Sequence, residues 1–355
     1  MKSQEDKRSK GTNAATTQIK RGPTLKDLAN HLHLTKGTIS AVLNDSDAAK
    51  AIPQRTKDLI LAAARDLKYQ PNFFARTLAR KRTFTVGVIA EEIGDPYGAM
   101  VIDGIEGALS HRQYFFWTVA HRHDARKLQE YLNTLAARGV EGFITVDTSL
   151  TEASQLPTVA VAGHRKVDLV TNITLDHVKA AELALCHLLE LGHRRIACIR
   201  GQSFSADSSD RWNSIRKVAA RLGIKIPPEL TVQIATDDPS PQQGYCLTKA
   251  LLQRGRNFTA IFAYNDVSAI GAIRAIREAG LRVPEDVSVI GFDDIRDAAY
   301  HVPSLTTVRQ PLRKMGEIAA QILMDRIEGR EDYPSEVAIQ PEFVIRESTA
   351  RVLPD

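Results

Sequence analysis

From residue 84 onward, short apolar segments alternate with longer amphipathic segments, and this alternation restricts the possible folds most strongly. The apolar segments have the length and β-branched composition of buried strands. Continuous apolar strands that alternate with helices are typical of parallel sheets covered by helices on both faces. The predicted strands are 85–90, 114–120, 142–146, 158–161, 170–175, 195–200, 230–235, 260–262 and 287–292, and the predicted helices are 96–112, 125–138, 178–191, 211–222, 241–253, 267–279 and 312–328.

This region of about 265 residues is longer than one such core usually is. The predicted fold class is therefore α/β, with two subdomains that are each a doubly wound parallel sheet. In such folds a ligand binds at the carboxyl ends of the strands, so we expect a ligand cleft between the two subdomains.

The N-terminal part of the chain differs in charge from the rest. Residues 1–83 contain 17 Lys and Arg against 7 Asp and Glu, whereas the remainder contains 30 against 35. A basic module joined to a mildly acidic one favours a nucleic-acid partner, although a solvated basic surface would have the same composition. The polar residues 1–22 predict a disordered arm, and three short helices are predicted after it, beginning near Thr24, Thr35 and Pro53.

The first two of these helices have the spacing of a helix-turn-helix. Large apolar residues, among them Leu28, Leu32, Ile39 and Val42, would seal two crossing helices, and the small Ala29 would let them approach. An ordinary three-helix bundle with a polar outer face is the alternative. In a helix-turn-helix the second helix would present Thr35, Lys36, Gly37, Thr38, Ser40, Ala41 and Asn44 outward, and the hydroxyl and amide groups among them suit phosphates and base edges.

Several other classes of protein are disfavoured by the sequence. There is no run of 18 apolar residues and no secretory signal, so we expect a cytoplasmic protein with no membrane partner. Cys186, Cys198 and Cys246 are too scattered for a disulfide framework or a zinc cluster, and His121, His123 and His164 are not spaced as metal ligands. No phosphate-binding loop, His-Glu-x-x-His motif or nucleophile elbow occurs, so we expect no catalytic residue, cofactor or metal, and no enzyme activity.

Longer motifs give the chain a clear resemblance. The segments Thr24-Leu-Lys-Asp-Leu-Ala29, Thr35-Lys-Gly-Thr-Ile-Ser40, Val42-Leu-Asn44 and Tyr69-Gln-Pro-Asn72 resemble the DNA-binding module of the lac repressor (LacI-type) family. Gly192-His-Arg-Arg-Ile196, Asn265-Asp266, the segment 283–294 and Leu305-Thr-Thr-Val-Arg-Gln-Pro311 resemble the effector domain of the same family. The resemblance extends over about residues 23–350.

The resemblance implies a transcriptional regulator, most often a dimeric repressor of pseudo-palindromic operator DNA, controlled by a small effector that is usually a sugar. It implies a helix-turn-helix domain at 23–71, a hinge helix and linker at 72–83, and an effector and dimerisation domain at 84–350. Within that domain the subdomains would comprise about 84–177 with 311–337, and about 178–310 with 338–350. The protein would act on the bacterial nucleoid. A solute-binding receptor of the periplasmic type, without a DNA role, is the alternative.

The resemblance also assigns DNA contacts. They fall on Thr24 and the exposed residues of the second helix, and on Asn72, Ala75 and Leu78 of the hinge, where Leu78 would wedge into the minor groove. Ala41 stands where Arg is common in the family, so base readout would rest more on Lys36 and Ser40. His33 stands at a turn position where Gly is usual, and we expect it to adopt a left-handed backbone conformation.

For the effector, the resemblance assigns Tyr97, Arg211, Asn265, Asp293 and Gln310. Arg211 and Asp293 offer a fork of donors and a paired acceptor, which suits vicinal hydroxyls. Alternatively, Arg211 and Asp293 form a salt bridge with each other that closes the subdomains. The alternative for Tyr97 is a core aromatic residue. Asp266 is expected to cap the following helix, and Pro239 replaces an aromatic residue that many sugar-binding members have.

Overall fold

The computed structural model describes residues 22–44, 46–70, 77, 81–163, 165–203, 205–236, 240–255, 257–330 and 332–352. The chain divides into two compact units, residues 1–82 and 83–355. The predictions for the N-terminal arm and for Asn72, Ala75, Leu78, His164 and Pro239 concern positions outside the described residues. No helix in the described part of the chain is both long and apolar enough to cross a membrane.

The N-terminal unit contains the three predicted helices around one small core. They are α1 (Leu25–Leu32), α2 (Lys36–Leu43) and α3 (Gln54–Asp66), with a short 3₁₀ helix at Asp47–Ala51 between the last two. Leu28 and Ile39 are fully buried, and they pack with Ile60 of α3 in the same cluster. The apolar positions that predicted the helix-turn-helix therefore form the core that holds these helices together.

The second unit contains two six-stranded sheets, which define a first and a second lobe. The first lobe has the strand order β11-β5-β4-β3-β1-β2 and the second has β12-β10-β9-β8-β6-β7. Every strand pair is parallel except β10–β12, which is antiparallel. The strands are β1 Thr85–Ala90, β2 Phe115–Ala120, β3 Phe143–Val146, β4 Thr158–Val161, β5 Val170–Leu175, β6 Ile196–Arg200, β7 Thr231–Gln233, β8 Ala260–Phe262, β9 Ser288–Asp293, β10 Thr306–Arg309, β11 Glu336–Ile339 and β12 Glu342–Val344.

Helices cover both faces of each sheet, as expected for a doubly wound fold. In the first lobe α4 and α11 pack on one face and α5 on the other, and in the second lobe α6 and α7 lie opposite α8 and α9. The helices are α4 Pro96–His111, α5 Ala125–Ala137, α6 His177–Glu190, α7 Ala206–Arg221, α8 Gln242–Gln253, α9 Asp266–Glu278, α10 Arg296–Tyr300 and α11 Leu312–Ile327. The predicted fold class is confirmed.

The sequence-based prediction missed three strands and one α-helix of the described chain and misplaced one helix start. Strands β10, β11 and β12 and helix α10 were not predicted, and β11 extends two residues beyond the expected limit of 337 for the first subdomain. Helix α7 begins at Ala206 rather than 211, because Ser205 caps it and accepts a hydrogen bond from the N–H of Ser208. Its first turn is polar and lacks the apolar periodicity by which helices are recognised.

In each lobe two helices cross in direct backbone contact, through a pair of glycines. A Cβ atom on Gly104 of α4 would lie 2.0 Å from the carbonyl oxygen of Arg313, and one on Gly316 of α11 would lie 2.1 Å from that of Val101. In the second lobe Gly244 of α8 and Gly271 of α9 make the same reciprocal approach. No side chain fits at these crossings, so each helix pair packs as one unit.

Three crossover segments connect the lobes. They join β5 to α6, β10 to α11, and β11 to β12. Gln340 in the third crossover donates a hydrogen bond to Asp176 in the first, at 3.2 Å. Any change in the angle between the lobes must therefore be taken up in these short segments, at residues 175–177, 309–312 and 339–342.

Candidate functional sites: a helix-turn-helix surface and an interlobe cleft

Helix α1 has well-defined ends that fix the turn before α2. Thr24 and Asp27 form a capping box, in which the Thr24 N–H donates to Asp27 Oδ2 at 2.8 Å and the Asp27 N–H donates to the Thr24 hydroxyl at 3.3 Å. At the other end His33 adopts a left-handed conformation with φ 53°, as expected. Thr24 is thus occupied in capping through its side-chain oxygen, and remains exposed at the start of α1.

The start of α2 presents the first group of predicted DNA contacts. Lys36 and Gly37 are exposed in the first turn. The Thr35 hydroxyl caps the helix by accepting a hydrogen bond from the Thr38 N–H at 3.1 Å, and it lies 2.9 Å from the Thr38 hydroxyl. The two threonine hydroxyls therefore hold each other in place, whereas the Lys36 ammonium group extends from an exposed position.

The end of α2 presents the second group of predicted DNA contacts. The side-chain amide of Asn44 donates to the Ser40 carbonyl oxygen at 2.9 Å and to the Ser40 hydroxyl at 3.1 Å. Ala41 is half-buried beside them. Ser40 and Asn44 were predicted to face outward, but their mutual hydrogen bonds make them a linked pair on this helix rather than two independent contacts.

The carboxyl ends of strands from both sheets surround a cavity with a volume of about 90 Å³. Its walls come from the ends of β3 and β9, from the segments after β1, β2, β6, β7 and β8, and from the beginnings of α4, α7, α8 and α9. The predicted effector residues Tyr97, Arg211, Asn265 and Asp293 all line it, whereas Gln310 does not. The ligand cleft expected from the fold class therefore coincides with four of the five predicted residues.

Arg211 is almost fully buried in the second turn of α7, not at a helix start as expected. Its guanidinium group donates to Asp207 Oδ2 at 2.7 Å and to the Tyr264 carbonyl oxygen at 2.5 Å. It also lies over the rings of Phe292 and Tyr264, at 3.7 and 4.5 Å from their centroids. The group is therefore held in one orientation before any ligand arrives.

Asp293 ends β9 with an unusual backbone conformation. Its φ of 108° is in the left-handed region that non-glycine residues rarely adopt. Its carboxyl group accepts a hydrogen bond from Gln310 at 2.6 Å and lies 3.9 Å from the Arg211 guanidinium. Burial raises the pKa of Asp293 well above its ordinary value, although Arg211 opposes the shift. Arg211 and Asp293 both belong to the second lobe, so their pair cannot close the lobes, and that alternative is wrong.

Two links that the sequence did not predict join the cleft to the crossovers. His177 Nε2, at the first crossover, lies 3.0 Å from Asp207 Oδ1, and Asp207 holds Arg211. Gln310, at the second crossover, holds Asp293. The i, i+4 spacing of Asp207 and Arg211 is visible in the sequence, but it signals a pair only once α7 is known to include residue 207.

The remaining predicted residues have mixed outcomes. Tyr97 lines the cavity and also packs against the core of the first lobe, so it has both the cleft position and the core packing that were considered for it. Asn265, not Asp266, caps α9, with its side-chain oxygen accepting from the Ser268 N–H at 2.9 Å. The prediction for Asp266 is wrong because its carboxylate turns inward, where it accepts from the Thr307 hydroxyl and the Ile295 N–H.

Acidic residues of the first lobe form a wall of the cavity that sequence reasoning missed. They are Glu91, Glu92, Asp95 and Asp147. Burial raises the pKa of Asp95 to about 6, and the charges of Asp147 and Glu92 add to the shift. These residues directly follow β1 and β3 or cap α4, so their position after predicted strands was the signal that would have found them.

Two of the three histidines noted in the sequence, His121 and His123, lie within the described residues and have structural partners. His121 is buried, with Nε2 3.1 Å from the Thr148 hydroxyl, and His123 lines the cavity and pairs with Glu91. Among the residues that the structure describes, no three His, Cys, Asp or Glu side chains are grouped so as to hold a metal ion.

Comparisons with known proteins agree with this architecture. The model of the family "Periplasmic binding protein-like domain" matches residues 185–349. The "HTH-type transcriptional repressor PurR" of Yersinia pestis bv. Antiqua is 32% identical over 336 residues, which cover 92% of this chain and 97% of that protein.

Two solved structures extend the comparison to the whole fold. The lac repressor dimer bound to operator and the anti-inducer ONPF has a TM-score of 0.83 and 25% identity, covering 93% of this chain and 100% of that one. The complex of the transcriptional regulator CelR with cellobiose has a TM-score of 0.67 and 27% identity, covering 92% and 99%. The chain, with its helix-turn-helix unit and its two-lobed effector domain, belongs to the lac repressor (LacI-type) family of DNA-binding transcriptional repressors.

Proposed function

We propose that this repressor works as a homodimer on a pseudo-palindromic operator, in the cytoplasm and at the nucleoid, and that an effector of the sugar class in the interlobe cleft sets its operator affinity. The observation that carries the proposal is the direct bonding of cleft side chains to two crossovers, through His177–Asp207 and Gln310–Asp293. Residues 23–71 are the DNA-binding domain, 72–83 the hinge and 84–350 the effector domain, whose lobes comprise 84–177 with 311–339 and 178–310 with 340–350.

In this proposal α2 enters the major groove and Lys36 provides its main charged contact. Lys36 is exposed in the first turn and bidentate contact of Lys with guanine O6 and N7 is a common form of base readout. Thr24, Thr35, Gly37 and Thr38 contact phosphates near the two helix N-termini. The Ser40–Asn44 pair reads a base edge as one unit, and Ala41 contacts a thymine methyl group.

The hinge completes the interface in this proposal. Asn72 and Ala75 support the hinge on the DNA, and Leu78 wedges between two base pairs of the central minor groove, which bends the operator. In a dimer the two α2 helices then lie in successive major grooves, one helical turn apart.

In the cleft, Arg211 and Asp293 grip vicinal hydroxyls of the effector, Tyr97 stacks on its ring, and Asn265 donates from its amide. Gln310 is a positioning residue, because it acts on the effector through Asp293. An effector that moves Asp207 or Asp293 also moves the crossover residue bonded to each, His177 or Gln310, and thereby changes the angle between the lobes. The coupling is reciprocal, so operator DNA must change effector affinity by the same factor as effector changes operator affinity.

Operator selection tests the proposal. The full chain is used to enrich duplexes from a random library, and its affinity for the selected duplex is compared with that for a scrambled one at several salt concentrations. We expect the selected duplexes to share a pseudo-palindromic consensus. Lys36→Ala should bind the operator more weakly than the unchanged protein. Leu78→Ala should lose affinity for the operator but keep its affinity for scrambled DNA. The Lys57→Ala variant, changed at a basic residue of α3 outside the proposed interface, is the control.

A solute receptor without a DNA role would give the opposite result. No consensus would emerge, and the affinity for every duplex would depend on salt in the same way. Equal losses on operator and scrambled DNA in Leu78→Ala would show that Leu78 only contributes to general DNA affinity, and the proposed wedge would be wrong.

A further inference from the structure

The linker enters the effector domain at Thr83 and Phe84. The boundary between the two compact units lies between residues 82 and 83, and β1 of the first lobe begins at Thr85. The chain at this point is the covalent path by which a movement of the first lobe reaches the hinge. How firmly Thr83 and Phe84 are held therefore decides how well such a movement is passed on.

One carboxylate, that of Glu141 in the segment between α5 and β3, holds both residues. It accepts hydrogen bonds on Oε1 from the Thr83 N–H at 2.5 Å and from the Phe84 N–H at 2.9 Å. Its Oε2 accepts from the Tyr114 hydroxyl at 3.1 Å, immediately before β2. The Thr83 hydroxyl donates in addition to the Gly139 carbonyl oxygen at 2.6 Å. The linker end is thus bonded to two further segments of the first lobe.

These side-chain bonds add to those of the sheet. The Thr85 carbonyl oxygen accepts from the Glu141 N–H, and the Phe84 carbonyl oxygen accepts from the Phe115 N–H, each at 2.8 Å. Neither of these bonds uses the N–H group of Thr83 or of Phe84. The carboxylate binds both of these N–H groups, and hydrogen bonds to an ionised acceptor are stronger than those to a neutral one. Glu141 therefore extends the fixed part of the chain to the residues before β1.

The backbone at Phe84 is strained. Its φ of 50° is in the left-handed region, which a residue with a bulky side chain rarely adopts. Its ring packs edge-on against the Tyr114 ring, with 5.5 Å between the centroids. Strained residues persist only where their surroundings hold them, and they are concentrated at functional sites and switch regions. Without the bonds to Glu141, we expect Phe84 to relax to an ordinary conformation, which would change the direction in which the linker leaves the lobe.

We propose that Glu141 is a positioning residue of the repressor, whose carboxylate anchors the linker end so that movements of the first lobe reach the hinge. The inference rests on the proposed function, in which the angle between the lobes sets operator affinity. Glu141 does not line the effector cavity. It thus acts on DNA binding through the linker and not through the effector.

Hydrogen exchange on the full chain without DNA tests the anchor itself. In Glu141→Ala the amides of Thr83 and Phe84 should exchange about tenfold faster or more, because their acceptor is gone. The amide of Val88 in the middle of β1 should exchange as in the unchanged protein, which separates a local release from unfolding of the sheet. Glu130→Ala, at an exposed carboxylate of α5, is the matched control and should leave all three amides unchanged.

The selected operator duplex tests the role in DNA binding. Glu141→Ala should bind the operator about tenfold more weakly, which is about 1.4 kcal/mol. Its affinity for scrambled DNA should persist, because non-specific binding depends on phosphate contacts. Glu141→Gln keeps one acceptor oxygen and Thr83→Val removes only the bond to Gly139, so both should lose less affinity than Glu141→Ala. Circular dichroism and the melting temperature verify that each variant is folded.

Reciprocal coupling gives a readout that a purely structural role would not change. In the unchanged protein, a saturating concentration of operator should alter hydrogen exchange in the crossovers, at residues 175–177, 309–312 and 339–342, because the operator favours one angle between the lobes. In Glu141→Ala saturated with the same operator, this alteration should be several-fold smaller. Glu130→Ala should respond as the unchanged protein does.

The possible failures are distinguishable. Unchanged exchange of the Thr83 and Phe84 amides in Glu141→Ala would overturn the anchor and leave the proposed function intact. Equal operator affinity, or a crossover response as large in Glu141→Ala as in the unchanged protein, would do the same. No crossover response in the unchanged protein would overturn both the anchor's role and the proposed coupling. Failure to select any operator would count against the proposed function, whereas exchange of the two amides would still decide whether Glu141 holds the linker end.

Discussion

Replacing Arg211 by Ala should destabilise the effector domain and abolish effector binding together. The guanidinium group is buried, contacts two aromatic rings and makes hydrogen bonds to Asp207 and to the Tyr264 carbonyl oxygen. Removing it would leave the Asp207 and Asp293 carboxyl groups buried without their cation. Breaking a buried ion pair in this way costs about 3–5 kcal/mol, which includes the penalty of the uncompensated charge.

For a domain of this size the loss should be easy to measure. One kcal/mol shifts the melting temperature of a domain of 150–250 residues by about 2–4 °C, so we expect Arg211→Ala to melt about 10 °C lower. Scanning calorimetry without effector gives the melting temperature, and titration with a ligand found by screening gives the affinity. Operator affinity, measured well below the melting temperature, should persist, because Arg211 is not part of the DNA-binding unit.

Arg221 provides a matched control on the same helix. Its side chain is 55% exposed and pairs with Glu182 at 2.8 Å on the surface of the second lobe. Exposed pairs of this kind contribute little, so Arg221→Ala should melt close to the unchanged protein. If Arg211→Ala also melted close to the temperature of the unchanged protein while losing effector binding, the guanidinium would be a ligand contact without a structural role. Unchanged effector affinity in Arg211→Ala would instead refute its assignment to the site.

Three further predictions concern stability. Burial raises the pKa of Asp266 from 3.8 to about 7, so the folded state binds this proton more tightly and loses stability as pH rises between these values. The free energy of unfolding of Asp266→Asn, measured relative to the unchanged protein in urea titrations, should therefore improve by about 4 kcal/mol from pH 4 to pH 8. A difference that is independent of pH would contradict this. Thr24→Ala should lower the protection of the α1 amides against hydrogen exchange by about 1 kcal/mol, and unchanged protection would show that the cap is dispensable. Gly104→Ala should destabilise the first lobe by about 3 kcal/mol, because its Cβ would collide with the Arg313 carbonyl oxygen. Gly107→Ala on the same helix has open space around its Cβ and should stabilise by about 0.5–1 kcal/mol. Equal melting temperatures of the two variants would refute the close helix contact.

The strands that could be predicted from sequence are those whose apolar character is continuous. Segments such as β4 and β8 are buried along their whole length, and their bounds were predicted to the residue. By contrast, β11 alternates between exposed and half-buried residues and β12 has only three residues, both at sheet edges. Their strand conformation depends on partners far away in the sequence, β5 for β11 and β10 for β12, and local composition does not reveal such pairing.

The site shows the same division between local and long-range information. Motif resemblance located Arg211 and Asp293, which the structure brings to one cavity. The subdomain bounds implied by the resemblance, about 178–310 with 338–350, already contain both residues, whereas the hydrogen bonds of Arg211 to Asp207 and to the Tyr264 carbonyl oxygen were not predicted. The acidic wall was also missed, since Glu92 and Asp95 follow β1 whereas Asp147 follows β3, and the two groups become neighbours only when the sheet aligns the strand ends.

The glycine crossings set the rules for recombining this repressor with its relatives. Helix α11 lies more than 200 residues after α4 in the chain, yet the two are joined backbone to backbone through Gly104 and Gly316. A hybrid that takes residues 84–177 from another repressor would bring an α4 shaped for a different partner helix. The exchangeable cassette is therefore discontinuous, and it must carry residues 311–339 along with 84–177, with a junction in each of the three crossovers and a fourth at residue 84. Effector specificity can be transplanted between such proteins one lobe at a time, but not one contiguous segment at a time.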